Sequence, residues 1–258
     1  MPDMMRKTHF LLPEEAAYGF GILLMAIGVA CVSASNFGYS MIVAPVYLIF
    51  AALDGVLSFG TVEYLFQGAL LLLLCLVLRR FCWQYLLSFF TAVLYGYTFD
   101  LMRWLVSFVP ADTLPARILL FAVGTVSISI SVALFVRTYL APEVYELFVR
   151  ELSIAYAIPF GRVKLTYDCI SCVGSILLSI VLFGFGAFAE RSLPALGEAI
   201  LSGYVLEGIG IGTVVAAVVN GPAISLCGRW LDRHFVRTRN ARLAKILSAP
   251  PHTSQTSA

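Results

Sequence analysis

Six stretches of this chain are long and apolar enough to cross a bilayer, at roughly 16–34, 62–79, 83–102, 116–138, 168–189 and 206–227. About 20 such residues in a helix cover the ~30 Å hydrocarbon core. Hydrophobic residues make up 60% of the chain and charged ones 12%, against about 25% charged in a soluble domain. The reading is an all-α polytopic membrane protein, and its 258 residues leave no room for a separate soluble domain.

Two shorter segments, 39–52 and 142–158, fall between the first and second long spans of each half. The first is apolar for only fourteen residues before Asp54, and the second carries Glu143, Glu146, Arg150 and Glu151. Each reads as a re-entrant half-helix or an interfacial helix, with candidate ends at Gly38 and Ser40 in one copy and at Pro142 and Glu143 in the other. The halves echo one another. Phe59-Gly60-Thr61-Val62-Glu63-Tyr64 returns as Phe160-Gly161-Arg162-Val163-Lys164-Leu165, and Arg103-Trp104-Leu105 as Arg229-Trp230-Leu231. Three spans per copy would insert the second copy upside down, giving an inverted repeat whose site lies where the copies meet.

Charge placement sets the orientation. With six spans, Arg6, Lys7, Arg79, Arg80, Arg137, Arg150, Arg162, Lys164, Arg229, Arg233, Arg237, Arg239, Arg242 and Lys245 share one side, leaving Arg103, Arg117 and Arg191 on the other. Lys and Arg accumulate in cytoplasmic loops, so both termini are expected in the cytoplasm. Glu14 and Glu15 interrupt what could otherwise pass for a signal peptide, and the first span is expected to be retained.

Charge inside the bilayer costs on the order of 3 kcal/mol and asks for a partner or a role. Glu63 and Gln67, spaced four apart, share one helix face, and their counterparts are Lys164 and Asp168. These four are the candidate lining of a solute or proton path, although Glu63 and Lys164 also suit interfacial positions. Asp100 is a further candidate, with pairing to Arg103 as the plainer reading. Asn220, followed by Gly221 and Pro222, frees backbone carbonyls in the last span.

Other signals are structural. Cys169 and Cys172 have redox spacing without a second pair or a nearby His, and read as buried thiols. Gly208, Gly210 and Gly212 match no nucleotide pattern and suit close helix packing. Trp83, Trp104 and Trp230 sit at span ends, as in aromatic belts. Residues 229–247 read as a basic interfacial helix on an anionic leaflet rather than a nucleic-acid arm, and 248–258 as a disordered tail. No metal or cofactor motif is evident, and the absence of a His within a span or a Ser with a plausible base argues against an enzyme.

The chain resembles the YczE/YyaS/YitT group of bacterial integral membrane proteins over most of residues 14–232. The likeness rests on Gly28-Val29-Ala30, Asn36-Phe37-Gly38, Leu57-Ser58-Phe59-Gly60-Thr61, the stretch from Gly96 to Asp100, and Gly212-Thr213 with Asn220-Gly221-Pro222-Ala223-Ile224. In that group a Pro-Trp-Asp-like element opens the short helix. Here the place holds Tyr39-Ser40-Met41-Ile42 in one copy and Pro142-Glu143-Val144-Tyr145 in the other, so only one proline matches. The resemblance implies the cytoplasmic membrane of a bacterium, and members are described as transporters or as membrane proteins of unknown function.

The expected organisation is a cytoplasmic segment 1–13, membrane repeats 14–108 and 116–228 joined by an external loop 109–115, then the basic helix and tail. The leading expectation is a secondary transporter or permease for a small polar or ionic solute, with a channel or a non-transporting scaffold or assembly factor as alternatives. Its partners would be the bilayer and the solute, without nucleic acid, and a homo-oligomer is compatible with this.

Overall fold

A computed structural model of the chain describes residues 10–184, 204–238, 240, 241 and 243. Among them are eight helices: α1 (Glu14–Ser35), α2 (Ala44–Ala52), α3 (Phe59–Leu78), α4 (Trp83–Val106), α5 (Leu114–Phe135), α6 (Val144–Ala155), α7 (Phe160–Phe183) and α8 (Ile211–His234). Four short strands accompany them: β1 (Phe10–Pro13), β2 (Tyr204–Leu206), β3 (Ile209–Gly210) and β4 (Phe235–Thr238). Five helices, α1, α3, α5, α7 and α8, are long and apolar enough to span a membrane. The sixth expected span, α4, has the length at 24 residues, but Tyr85, Tyr95, Tyr97, Asp100 and Arg103 dilute its apolar character. Large apolar side chains cover the outside of the bundle, among them Leu72 and Leu76 on α3, Ile170 and Val181 on α7, and Val214 and Val218 on α8. Such a surface is stable against lipid and not against water.

The helix directions follow from side-chain pairings. Ser131 donates to the Gly21 carbonyl at 2.6 Å, and Arg117 donates to the Ser35 carbonyl at 2.7 Å, so α1 and α5 run antiparallel. Gly28 and Gly124 meet where they cross. A Cβ on either would lie under 3 Å from the other's carbonyl oxygen, so only glycine allows this approach. Gly60 and Gly96 do the same for antiparallel α3 and α4. Helix α8 packs on α5 in parallel, Gly212 meeting Phe121 at one end and Gly228 meeting Arg137 at the other.

At the end where α1 begins, β1 pairs in parallel with β4, Phe10 opposite Phe235. The two outer segments of the described chain therefore lie at one end of the bundle. This corrects the expected interfacial helix at 229–247: residues 229–234 complete α8, and Phe235 to Thr238 form a strand. Aromatic and β-branched residues favour extended backbone, and β1 supplies its hydrogen-bonding edge. Arg6, Lys7, Arg191, Arg239, Arg242, Lys245 and the tail 248–258 lie outside the described residues.

Both short segments are helical. Helix α6 starts inside the bundle, where the Val144 N–H donates to Gln67 at 3.1 Å, and runs to Glu151, which accepts from Tyr85 at 2.8 Å. Gln67 lies about 12 Å along α3 from Phe59, near mid-span, whereas Tyr85 opens α4. The chain leaves α5, turns inward through residues 136–143, and returns as α6 to the end it came from. Thr91 fixes that turn by donating to the Ala141 carbonyl at 3.2 Å and bonding the Tyr18 hydroxyl. Helix α2 packs against α7 and α3. It begins at Ala44, after a turn in which the Ser40 carbonyl accepts from Val43 and Ala44, so the first copy's half-helix starts later than its expected ends at Gly38 and Ser40.

Candidate functional site

The polar residues of the bundle interior gather at the start of α6. Gln67 uses both ends of its amide, donating to Glu63 Oε1 at 3.1 Å and accepting from the Val144 N–H at 3.1 Å. It thereby clips the middle of α3 to the first turn of α6, and it has no exposed surface. Glu63 is 1% and Glu143 3% exposed, and one carboxylate oxygen of each has no hydrogen-bond partner. An Oε2 of Glu146 and the Tyr145 hydroxyl are buried and unpartnered in the same way. Glu143 lies within electrostatic reach of both Glu146 and Glu63.

Three carboxylates thus converge where a half-helix begins. The positive end of the α6 dipole and its free N–H groups temper their repulsion. The Tyr145 hydroxyl bears on Glu63 and is a neutral donor at hand; the remaining open carboxylate oxygens cost free energy unless a proton or a cationic group completes them. Lys164 and Asp168, one turn apart on α7, pair at 3.3 Å and act electrostatically on Glu146. The first two expected residues and the last two therefore border one region, through a glutamate on α6 that bridges them. Among the described residues, no group of three His, Cys, Asp or Glu side chains is arranged to hold a metal ion.

Two expected residues lie elsewhere. Asp100 accepts from the Ser58 hydroxyl at 2.6 Å and from the Gly60 N–H at 2.9 Å, so it closes the N-terminus of α3. Its expected partner Arg103 instead stacks over Phe50, 4.7 Å from the ring centre. Asn220 sits on α8, which packs chiefly on α5, with a buried Oδ1 that has no partner. Helix α8 continues through Pro222, whose missing N–H leaves the Val218 carbonyl without its helical donor. Of the four half-helix ends, Glu143 is the N-cap of α6 and Pro142 precedes it, while Gly38 lies against Gly210 and Thr213.

Sequence reasoning passed over Glu146 and Tyr145 as part of the site. The available signal was the polarity of 142–158, which reads equally well as an interfacial helix until Gln67 is seen to hold its start at mid-span. Of the glycines expected to serve helix packing, Gly212 alone lies in a helix, against Phe37 and Phe121, whereas Gly208 sits in the turn between β2 and β3 against Tyr47, and Gly210 ends β3. The Gly212 N–H donates to the Phe37 carbonyl at 2.7 Å. All six cysteines are free, and the pair expected to be buried is not: Cys169 is exposed and Cys172 half-buried on α7.

No curated protein and no solved structure matches the chain. A family model does, over residues 13–190, a stretch that takes in α1 to α7 and every residue of the acidic cluster at α6. The chain belongs to that family, DUF6198, described as a family of unknown function.

Proposed function

We propose that the protein is a secondary transporter or permease for a small cationic or protonatable solute, which binds at the acidic start of α6. The observation that carries this reading is the pair of buried carboxylates, Glu63 and Glu143, each with an acceptor oxygen left open beside a half-helix that begins at mid-span. Transporter sites commonly form where short helices begin inside the membrane. The resemblance to the YczE/YyaS/YitT group is in keeping with this, and with a bacterial cytoplasmic membrane holding both termini inside.

An inverted repeat would supply the alternating-access movement. Three features support it. Helices α1 and α5 are both 22 residues long and start 100 residues apart, as α2 and α6 do, and α4 and α8 are both 24 residues long. α6 packs on α3 as α2 packs on α7, and α1 on α4 as α5 on α8. The α1–α5 crossing at Gly28 and Gly124 lies where a two-fold axis would pass.

The test is a thermal-shift screen of purified protein against amines, amino acids, inorganic cations and organic acids, with Glu63→Gln and Glu143→Gln alongside. A cation or amine that stabilises the wild type and neither variant is the expected result, since a ligand that binds only the folded state raises its apparent stability. Stabilisation by acids alone, or no response across the panel with both variants as stable as the wild type, would overturn it. The fully used amide of Gln67 favours the scaffold or assembly-factor alternative to that extent, because it shows polar groups satisfying one another. A channel would instead give flux that does not saturate.

A further inference from the structure

At the end of the bundle that carries β1 and β4, the last two turns of α8 and the neighbouring face of α5 border a groove of about 650 Å³. Leu226, Arg229, Trp230, Arg233 and His234 line it from α8, and Ile130 lines it from α5. Steps of three and four residues place the five α8 positions on one helical stripe. Leu226 and Ile130 lie deeper in the bundle than the two arginines, and Leu226 and Trp230 are more than half exposed. Outside the bundle at that depth is lipid.

Charge sorts with depth along the stripe. Arg229 and Arg233 are exposed, and among the described residues no carboxylate pairs with either. The acid nearest in sequence, Asp232, is turned away and held by Arg137 through two bonds of 2.9 and 2.7 Å. That carboxylate holds the Arg137 guanidinium above its ordinary pKa, so the acid nearest the groove arginines in sequence is already engaged by another cation. His234 lies tilted against Trp230 with ring centres 4.9 Å apart, so the two rings form one wall together.

We infer that this groove binds the headgroup of an anionic phospholipid. Its apolar wall between α5 and α8 takes the acyl chains, and Arg229 and Arg233 take the phosphate. The guanidinium fork suits a phosphate oxygen pair and stays charged at any physiological pH. Basic pockets between spans on the cytoplasmic side are a known form of anionic lipid site. An ordinary basic surface lacks the apolar cleft, and a site for free phosphate has no use for it.

The test uses the full chain in nanodiscs and in detergent, with phosphatidylglycerol and phosphatidylcholine as probes. Native mass spectrometry should retain phosphatidylglycerol preferentially, and Arg229→Gln/Arg233→Gln should lose that preference by roughly tenfold or more. Arg79→Gln/Arg162→Gln removes the same charge at the same end and should leave it unchanged. A second reading does not depend on the groove arginines. With Trp83→Phe and Trp104→Phe, Trp230 is the remaining tryptophan, and brominated phosphatidylglycerol should quench it at a lower mole fraction than brominated phosphatidylcholine. Equal quenching by the two lipids, equal loss in both charge variants, or displacement of the lipid by glycerol phosphate at matching concentration would each overturn the assignment.

Discussion

Helices α2 and α6 are short helices that each follow a 22-residue helix, yet one is packed in hydrocarbon and the other carries carboxylates. Helix α2, with the sequence APVYLIFAA, buries Ala44, Val46 and Leu48, and its Phe50 joins Tyr39, Phe59 and Phe99 in an aromatic core. Helix α6 buries an apolar side too, through Val144, Leu147 and Phe148. It adds Glu143 and Glu151, both 3% exposed, and the partly buried Glu146. A hundred residues earlier, the places of Glu143 and Glu146 are held by Val43 and Val46. The two short helices thus differ in a few side chains: α2 is packing, and α6 carries a charge problem that packing alone does not solve.

The comparison can be broken from either side. The largest effect is expected from giving α2 the charge of α6. Val46→Glu places a carboxylate without partners among Met25, Phe59 and Phe99, at a cost of about 3–5 kcal/mol, read as a collapse of the detergent melting temperature. Next is Gln67→Leu, which strands the Val144 N–H and Glu63 Oε1 together and should cost about 2–3 kcal/mol in the same measurement. Each short helix also has a tyrosine tether. Tyr85→Phe removes the buried bond to Glu151 and should cost about 1–2 kcal/mol, against about 0.5–1 kcal/mol for Tyr47→Phe, whose partner Glu207 is only half-buried. The smallest stability change belongs to Glu143→Val/Glu146→Val, which gives α6 the residues of α2. Its melting temperature should stay level or rise, because buried carboxylates are replaced by apolar groups, while every solute response in the thermal-shift screen disappears. A melting temperature that falls sharply would mean that the acids hold α6 in place.

Much of the fold was legible because apolar run length is a one-dimensional signal. The expected spans overlap α1, α3, α4, α5, α7 and α8, and the two short segments fall on α2 and α6. Element ends were less legible. The span expected at 168–189 is a helix from Phe160, because Pro159 stands at its N-cap and Arg162, Lys164 and Asp168 are compatible with helix, the last two pairing one turn apart. Residues 235–238 were misread as helix because basic residues spaced among apolar ones suit an interfacial helix and an edge strand alike, and pairing with Phe10 to Pro13 is a contact over more than 200 residues. The site was half legible: a Glu four residues before a Gln inside a span announces itself. That Glu143 and Glu146 come to meet them depends on the depth at which α6 starts, and one glutamine amide sets that depth.

The β1–β4 pairing has a consequence for how the molecule is made. A ribosome delivers Phe10 to Pro13 ahead of α1 and Phe235 to Thr238 after α8, so their backbone edges cannot meet until α8 has been made. The clasp forms only after α8 is made, and a chain truncated ahead of Phe235 would leave β1 an unpaired edge. Protease sensitivity near Phe10 in such a truncation would then report, in a single band on a gel, whether the bundle has been closed.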